Sequence, residues 1–366
     1  MCYQDIEPIF FVREVDTARQ YGKHAGPKAR RDIESFLIPH CSDVIDVDFS
    51  WDKPPSSFFG RLKRHLRIAR QWSKTLKNYK NSVLLFNFPL THYSFFDTMW
   101  FKRVMKRRNK TCLFVHDLSS LRYAKENYDI IYLCYSRMKE SAFLCTSSSV
   151  ILHNEKMRAM AHMYYGLEPS KVKNINLFDY KISCGERKSR VSIDLPVVIA
   201  GNLSFKKAGY IQHLPSSVDW NLYGNGLDED FFAPNVHVKG SFEPDLLPRM
   251  LEGSFGLVWD GPEANTCNGD YGSYLRINNP HKVSLYLAAG LPVLIWSQAA
   301  LADYVVANGV GIVVDNLFEI PHLISCIDKK EYESMRKRVC LLSEKVTEGE
   351  HTISVFKSAC EYMKNL

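Results

Sequence analysis

The stretch that decides the fold spans residues 274–296 and reads YLRINNPHKVSLYLAAGLPVLIW. Asn279 is a favourable N-cap, and Pro280 suits the first helical position because its missing N–H would be unpaired there anyway. The helix predicted over 282–289 should end at Gly290, a residue suited to a left-handed C-cap, before an apolar strand begins. A short helix with a polar N-terminal end, followed by a buried strand, is typical of an α/β fold.

The start of this helix is a candidate anion-binding site. Free N–H groups and the helix dipole attract anions at a helix N-terminus, phosphates above all. Lys282 would add a positive charge for a diphosphate, and His281 would add a further donor. The polar, Gly-rich segment 261–272 follows a predicted strand, so we interpret it as a lid at the strand ends, where doubly wound sheets bind ligands. A well-capped helix and a plain surface loop are the alternatives that the residues leave open.

Length and composition limit the class of protein. A chain of 366 residues suffices for two domains, and a hydrophobic fraction of 46% supports large cores. No run of about 18 uncharged apolar residues occurs, which argues against a membrane span, and the first residues do not resemble a signal peptide. The ten cysteines are scattered without a Cys-x-x-Cys pair, so we expect reduced thiols, no zinc site and a cytoplasmic protein.

Short apolar runs alternate with longer segments of helical spacing along the chain, which predicts parallel sheets covered by helices. The polar segment 184–192 is the best candidate for a linker, and it would divide the chain into two Rossmann-like halves. Strands are predicted at 9–12, 44–47, 82–88, 111–115, 130–134, 150–152, 195–200, 221–223, 237–239, 255–258, 292–296 and 310–314. Helices are predicted at 25–37, 61–76, 96–107, 155–165, 246–252, 282–289, 299–308 and 332–347.

The positive charge of the chain is concentrated in one part of the first half. Residues 56–115 contain 14 lysines and arginines against one acidic residue, Asp97, which gives a local net charge of +13. The helix predicted over 61–76 is amphipathic and basic, so it can lie on an anionic membrane surface. A core-packing helix with a solvated basic back is an equally open alternative. No recognised nucleic-acid-binding module accompanies the charge.

Motifs along nearly the whole chain resemble those of one enzyme family. The sequence resembles bacterial β-1,6-galactofuranosyltransferases and the related glucosyltransferases that extend the first sugar on serine-rich repeat adhesins. The block that begins NNPHK, at Asn278, is the most specific part of the resemblance. The motifs of the second half are AGNLSFKK, LYGNG, KGSFEP, FGLVWDG, GDYGSYLRINNPHKVSLYL, LPVLIW and AALADYVVANGVGIVVD; those of the first half are HAGPKARRD, LLFNFP, FVHDLSSLR, ILHNEKM and NLFDY.

The resemblance implies a GT-B fold, in which two Rossmann-like domains face a central cleft and the last helix crosses back to the N-terminal domain. We therefore expect an acceptor-binding domain over residues 1–185, a nucleotide-sugar-binding domain over 186–348, and a returning helix over 349–366. The resemblance also implies a UDP-linked sugar donor and a reaction that needs no metal. The sequence agrees with the second point, because no Asp-x-Asp motif follows an apolar strand and the acidic residues 228–230 lie in a polar loop.

The resemblance also implies a donor site. Asn279, His281 and Lys282 look like diphosphate contacts, Lys207 a second basic contact, and Tyr223 a base or ribose contact. Candidates from the same motifs are Asn202, Gly224, Tyr274 and Asn278, and Gly26 would let the backbone approach the transferred sugar.

One absence bears on the mechanism. Many retaining GT-B enzymes carry Glu-x7-Glu ahead of a Gly-x-Pro turn, but the corresponding positions, counted back from Gly290, are Leu285 and Ile277. This favours inversion, in which a single carboxylate or histidine removes the acceptor proton. The candidates for that base are Asp117, His116, Asp16 and His24, with Asp117 slightly ahead of Asp16. A structural Asp117 that caps the next helix is an open alternative.

These features predict an inverting transferase that moves galactofuranose from UDP-galactofuranose to a saccharide acceptor, such as a lipid-linked O-antigen or capsule intermediate. Two alternatives are a UDP-glucose-dependent enzyme acting on GlcNAc-modified protein and a non-catalytic glycan-binding partner of a transferase. A GT-B-shaped epimerase fits less well, because its acidic catalytic set is not evident. We expect contact with the inner face of the cell membrane and self-association as further features, and no nucleic-acid partner.

Overall fold

The computed structural model describes residues 7–17, 27–53, 55–123, 129–182, 189–228, 230–231 and 233–366. Within these residues, helices cover two six-stranded sheets whose paired strands are all parallel. The strands are β1 (Ile9–Val15), β2 (Asp43–Asp48), β3 (Val83–Phe88), β4 (Lys110–Val115), β5 (Ser149–Leu152), β6 (Val172–Asn174), β7 (Arg190–Val191), β8 (Val197–Asn202), β9 (Trp220–Asn225), β10 (Val236–Gly240), β11 (Glu252–Gly253), β12 (Gly256–Val258), β13 (Val293–Trp296) and β14 (Gly311–Val314).

The helices alternate with these strands along the chain. The α-helices are α1 (Lys28–Leu37), α2 (Phe58–Leu76), α3 (Asp97–Met105), α4 (Ser119–Arg122), α5 (Ile130–Thr146), α6 (Glu155–Tyr165), α7 (Phe205–Ala208), α8 (Leu247–Met250), α9 (Gly269–Tyr274), α10 (His281–Ala289), α11 (Ala302–Ala307), α12 (Ile320–Ser325), α13 (Lys329–Glu348) and α14 (Glu350–Lys364). Short 3-10 turns lie at Ile38–His40, Pro169–Lys171, Gly209–His213 and Leu317–Glu319.

The two sheets have related strand orders that differ at one edge, because the third strand lies beside the first strand in one sheet and at the sheet edge in the other. The first runs β2-β1-β3-β4-β5-β6, and the second runs β10-β9-β8-β12-β13-β14. Each order reverses beside its first strand, between β1 and β3 and between β8 and β12. In doubly wound sheets, ligands bind in the crevice outside the carboxyl ends of the strands at this reversal. The topology therefore marks one ligand-binding edge on each half of the molecule.

The strands are apolar because both faces of each sheet are covered. All six residues of β3, VLLFNF, are buried, as expected for a central parallel strand. One face of the first sheet packs on α2, α3 and α5, where the rings of Trp72 and Trp100 stack with centroids 4.9 Å apart. The other face packs on α1 and α14. These cores fix the strand ends that line the site.

The last helix returns to the first half of the molecule, as expected. Gly349 ends α13 with a φ of 82°, and a Cβ atom there would overlap the ring of Phe36. The chain turns at this glycine, and Val355 and Phe356 of α14 join the core that contains Phe11 of β1. The left-handed conformation of Gly349 thus redirects the chain across the molecule.

The strand predicted at 130–134 is wrong, because these residues form the start of α5. The side chain of Asp129 accepts a hydrogen bond from the N–H of Ile131 and caps the helix. Ile130 and Ile131 are exposed and therefore do not occupy a sheet core. A five-residue apolar run does not by itself distinguish a strand from a helix.

Two expectations fall partly on residues outside the described ranges. The boundary predicted between residues 185 and 186 lies in the gap at 183–188, and the first residues of the helix predicted over 25–37 lie in the gap at 18–26. Among the helices that the structure describes, none combines the length and the apolar character needed to cross a membrane.

Candidate active site

A cleft of about 860 Å³ lies between the carboxyl ends of the two sheets. Most of the residues predicted for the site line this cleft, although they are spread over both halves of the sequence. Those that line it are His116, Asp117, Asn202, Lys207, Tyr223, Gly224, Tyr274, Asn278, Asn279, His281 and Lys282. Asp16 lines a separate cavity, and His24 and Gly26 lie outside the described residues.

Lys282 occupies the second position of α10 and points along the cleft. Its ammonium donates to the carbonyl of Trp259 at 3.0 Å and to Oδ1 of Asp260 at 2.7 Å. Both partners follow β12, so the end of this strand holds the ammonium beside the helix start. The combination of a helix N-terminus and a fixed cation is the electrostatic environment that a diphosphate requires.

Asn279 does not cap α10, and its predicted diphosphate contact is contradicted by its hydrogen bonds. The N-cap residue is Pro280, without a side-chain cap bond. Nδ2 of Asn279 donates to the carbonyls of His153 and Asn176 at 2.8 and 3.0 Å, and its Oδ1 accepts from Asn154 at 2.6 Å. The side chain is 3% exposed. Asn279 therefore joins the second half of the molecule to the first.

Asn278, the preceding residue, has the free polar atom that Asn279 lacks. Its Oδ1 is buried and has no hydrogen-bond partner among the described residues, and the residue lines the cleft. Because buried polar atoms are normally satisfied, this amide is a candidate contact for a bound ligand.

His281 is not a hydrogen-bond donor for a phosphate in this arrangement. Burial lowers its pKa to about 4, so the ring is neutral. Its Nε2 lies 3.2 Å from the carbonyl of Asp179, which can only accept, so Nε2 carries the proton and Nδ1 is an acceptor. The ring also stacks on Tyr180 at 4.9 Å. The ring N–H is thus engaged by Asp179, and the diphosphate contact expected of His281 stays a prediction.

Backbone forms the floor of the cleft at the ends of β8 and β9. A Cβ atom at Gly224 would overlap the carbonyl oxygen of Gly201, so glycine is required for the two strand ends to approach each other. Asn202 accepts the N–H of Ser204 through its Oδ1 and shapes the turn that follows β8. The glycine at position 224 of the LYGNG motif therefore has a steric explanation, because no side chain fits between the two strand ends.

Tyr223 packs instead of presenting its hydroxyl to the cleft. The hydroxyl accepts a hydrogen bond from the N–H of Glu252 at 3.1 Å, and the residue is 2% exposed. Its ring borders the cleft and lies 6.2 Å from that of Phe242. The hydroxyl oxygen thus accepts from β11 while the ring borders the cleft, and the base or ribose contact expected of Tyr223 stays a prediction.

Lys207 supplies a second cation, close to Lys282. Its ammonium lies 5.2 Å from the centre of the Tyr271 ring. Asp260 raises the pKa of Lys207, but burial and the neighbouring charges of Lys282 and Arg122 outweigh this effect and lower it overall. A bound anion would relieve the repulsion among these cations, so the cluster is arranged for negative charge.

Asp117 is committed to partners on both sides of the cleft. Its Oδ2 forms an ion pair with Arg122 at 2.5 Å, and its Oδ1 accepts from the N–H of Leu118 at 3.1 Å. Tyr274 reaches across from α9: its hydroxyl accepts the same Leu118 N–H, and Arg122 lies 4.9 Å from its ring. This cluster holds the two walls together, and its carboxylate is already fully engaged.

His116 has a different environment from its neighbour. Its Nε2 lies 2.7 Å from Oδ1 of Asn87, whose Nδ2 donates to Glu34 at 3.1 Å. Because Oδ1 only accepts, Nε2 carries the proton and Nδ1 keeps a lone pair. That Nδ1 is buried without a partner among the described residues, and burial lowers the pKa of His116 well below its usual value of 6.5. His116 is therefore neutral and able to accept a proton.

Asp16 stands away from this arrangement. Its Oδ2 lies 3.4 Å from Nε2 of His92, whose Nδ1 lies 3.2 Å from Glu14. The cavity that Asp16 lines has a volume of about 340 Å³. The structure therefore does not bring Asp16 together with His116 and Asp117.

Sequence reasoning missed four residues that define the site. Asp260 positions Lys282, Arg122 pairs with Asp117, and Asn87 and Glu34 orient His116. Asp260, Arg122 and Asn87 lie in the motifs FGLVWDG, FVHDLSSLR and LLFNFP, so the motifs contained them without revealing their roles. Glu34 carries no such signal, because it lies inside α1.

Comparisons with known proteins fit this site. Residues 15–163 match the model of the glucosyltransferase 3-like N-terminal domain, and residues 197–359 match that of the corresponding C-terminal domain. The β-1,6-galactofuranosyltransferase WbbI of Escherichia coli (strain K12) is 32% identical over 97% of this chain and 99% of its own length. The chain belongs to the glucosyltransferase 3-like family.

Two further similarities concern other members and the fold. Glucosyltransferase 3 of Streptococcus gordonii is 28% identical over 73% of this chain and 75% of its own length. The Escherichia coli trehalose-6-phosphate structure bound with UDP-2-fluoro-glucose superposes with a TM-score of 0.57 at 8% identity, over 96% of this chain and 99% of that one. The predicted GT-B fold is confirmed. This glucosyltransferase 3-like protein is a glycosyltransferase.

Proposed function

We propose that this glycosyltransferase moves galactofuranose from UDP-galactofuranose to a saccharide acceptor with inversion at the anomeric carbon. One observation carries the proposal: Lys282, whose ammonium is fixed by Asp260, and His116, whose Nδ1 is unpartnered among the described residues, line the same cleft from different halves of the chain. The first can hold a leaving diphosphate, and the second can accept a proton. The full-length similarity to a galactofuranosyltransferase favours that sugar over glucose.

The donor would bind to the second half of the chain. The N-terminus of α10, Lys282 and Lys207 would neutralise the diphosphate, and Asn278 would offer its amide to the sugar or phosphate. Cations that are already held in place beside the leaving group stabilise the negative charge that this group gains in the transition state. These side chains fit the role that a metal ion plays in other transferases, so we propose a metal-independent reaction.

The acceptor would lie against the wall formed by the first half. As the acceptor oxygen bonds to the anomeric carbon, Nδ1 of His116 takes the hydroxyl proton and the bond from that carbon to the UDP oxygen breaks on the opposite face. The negative diphosphate would raise the pKa of His116 from its low value and strengthen it as a base. Leu285 stands where a retaining enzyme would carry a carboxylate, which supports inversion.

Asp117 is the second candidate for the base, and its contacts assign it another task. Both carboxylate oxygens already have partners, Arg122 at 2.5 Å from Oδ2 and the Leu118 N–H at 3.1 Å from Oδ1, so an acceptor hydroxyl would have to compete with them. We propose instead that Asp117 holds Arg122 at the cleft, where the guanidinium can approach the donor from the first half.

The acceptor proposed is a lipid-linked O-antigen or capsule intermediate, which would place the enzyme at the inner face of the cell membrane. A UDP-glucose-dependent reaction on GlcNAc-modified protein is the second candidate, favoured by the similarity to glucosyltransferase 3. Self-association stays a prediction.

A donor comparison tests the proposal. Purified protein is mixed with UDP-galactofuranose or UDP-glucose and a panel of glucoside, galactoside and GlcNAc-peptide acceptors, and products are identified by mass spectrometry. We expect transfer from UDP-galactofuranose to a glycoside, with the β configuration in the product. Faster transfer from UDP-glucose would select the second candidate. Binding of UDP without any transfer would instead support a non-catalytic partner.

A further inference from the structure

Helix α2 exposes large apolar side chains along one stripe. Phe58, Leu62 and Leu66 follow one another at intervals of four residues, so they share one side of the helix. All three are exposed, and Phe58 and the adjacent Phe59 are 70% and 80% exposed. The side that carries Trp72 is buried in the core. A stripe of exposed aromatic and aliphatic groups beside a completed core marks an interaction site.

Phe95 extends this stripe to the neighbouring helices. Its ring lies 4.0 Å from that of His65 in α2 and 5.2 Å from that of Tyr135 in α5, while more than half of its own surface stays exposed. The segment before α3 therefore joins α2 and α5 into one surface. Further exposed apolar side chains on α3 and α5 are Met99, Ile130, Ile131 and Met138.

The exposed charges on α2 and α3 are all positive. Lys63, Arg70 and Lys74 are exposed along the side of α2 next to the apolar stripe. The one acidic residue in the range 56–115 is Asp97, which is buried and accepts hydrogen bonds from the Ser94 N–H and the Trp100 indole. No acidic side chain of that range therefore reaches solvent. The exposed groups Phe58, Phe59, Leu62, Leu66, Phe95, Lys63, Arg70 and Lys74 are called the aromatic–basic surface below.

The aromatic end of the aromatic–basic surface lies at the same edge of the sheet as the cleft. Helices α2, α3 and α5 begin after the carboxyl ends of β2, β3 and β4, and that edge faces the cleft. Phe58, Phe59 and Phe95 stand at these helix starts. A partner bound to the surface would therefore lie beside the acceptor side of the active site.

We propose that the aromatic–basic surface docks on a bilayer containing anionic phospholipids and brings the cleft to a membrane-bound acceptor. Aromatic side chains favour the headgroup level of a bilayer, and lysines and arginines are attracted to its negative surface potential. The choice of a membrane rests on the proposed function, since a lipid-linked acceptor resides there.

Two other occupants fit the surface less well. A second copy of the chain bound through the same surface would bring two strongly positive segments together, which is repulsive. A nucleic acid would match the charge but would leave the stripe of Phe58, Leu62 and Leu66 without an apolar partner, because its backbone is charged throughout. A bilayer satisfies the charged and the apolar groups together.

Vesicle flotation tests the proposal with the full chain. The probes are vesicles of phosphatidylcholine alone and of an equimolar mixture with phosphatidylglycerol. We expect binding to the mixed vesicles, weakened roughly tenfold or more both by Phe58→Ser with Phe59→Ser and by Arg70→Glu with Lys74→Glu. Matched controls on the second half of the chain are Phe318→Ser with Leu341→Ser and Lys330→Glu with Lys337→Glu, which should bind as the wild type does.

Turnover measurements on the same variants distinguish a loss of membrane docking from a loss of catalysis. Turnover with a soluble glycoside acceptor should be unchanged in all four variants, since none of the altered residues lines the cleft. The proposal is overturned if the wild type ignores mixed vesicles, if controls and surface variants lose binding equally, or if the surface variants lose binding to duplex DNA instead. Vesicle binding that follows the expected pattern without turnover on any acceptor would contradict the proposed function alone.

Discussion

The two walls of the cleft differ in what they can do chemically. The wall from the second half consists of a helix start, two lysines and a glycine floor, so it is positive and offers hydrogen-bond donors. The wall from the first half holds a neutral histidine with a free lone pair, oriented by a buried amide and carboxyl. In the proposed mechanism, donor binding and proton removal are supplied by different halves, so single substitutions should separate them.

The largest effect is expected at His116. His116→Gln should lower kcat about 1,000-fold, because the general base is lost, while the KM for the donor changes little. Gln can still donate to Oδ1 of Asn87, so the fold should be retained. Steady-state kinetics against both substrates checks this. If Asp117→Asn lowers kcat more than His116→Gln does, with no change in KM, the assignment of the base is wrong.

Lys282→Ala should lower kcat/KM roughly 100-fold, because a charge-assisted contact to the diphosphate is lost. The substitution also leaves the buried Asp260 without its partner, which lowers stability. The double variant Lys282→Ala with Asp260→Asn removes that unpaired charge and serves as the control for folding. If either variant kept an activity close to that of the wild type, the proposed role of Lys282 in the second wall would be wrong.

A smaller effect is expected at Asn87, and it tests whether this residue of the first wall influences the pKa of His116. Asn87→Asp would place a carboxylate beside Nε2 of His116, and a negative charge raises the pKa of a histidine. His116 would then be protonated at higher pH, so the acid limb of the kcat profile should move up, by about one pH unit. A pH–rate profile measures the shift, with Asn87→Ala as the control that removes the contact without adding charge. An unchanged acid limb would mean that Asn87 acts only in folding.

The smallest expected effect concerns the contact between the walls. Asn279→Ala should lower the Tm by a few degrees, roughly 3–6 °C, because two donated hydrogen bonds and one accepted bond are lost. Since Asn154 and Asn279 bond to each other, the double variant should lose less stability than the two single variants added together. Strict additivity in thermal denaturation would show that the two amides act independently.

Local sequence patterns predicted the helix start but not the use of each polar residue there. Gly290 is the left-handed C-cap of α10, as expected, and Lys282 lies in the cleft. The N-cap was placed one residue early, because Asn279 bonds to His153 and Asn176, which are more than a hundred residues away. Partners at that separation leave no trace in the spacing of a short motif.

The order of the base candidates that we propose differs from the order predicted from the sequence for a similar reason. The sequence gives His116 and Asp117 as adjacent polar residues after a strand, and nothing local distinguishes them. Asp117 is engaged by Arg122 and bordered by Tyr274, whereas His116 is oriented through Asn87. Which residue keeps a free proton acceptor depends on tertiary contacts, and our proposal of His116 as the base rests on these contacts.

Calorimetric titration with UDP is the most direct test of the division between the walls. His116→Gln should bind UDP within about twofold of the wild-type affinity, and Lys282→Ala should bind it roughly 100-fold more weakly, because the proposed mechanism gives Lys282 a contact with the diphosphate and His116 none. Equal losses of UDP affinity in the two variants, or a larger loss in His116→Gln, would contradict the account.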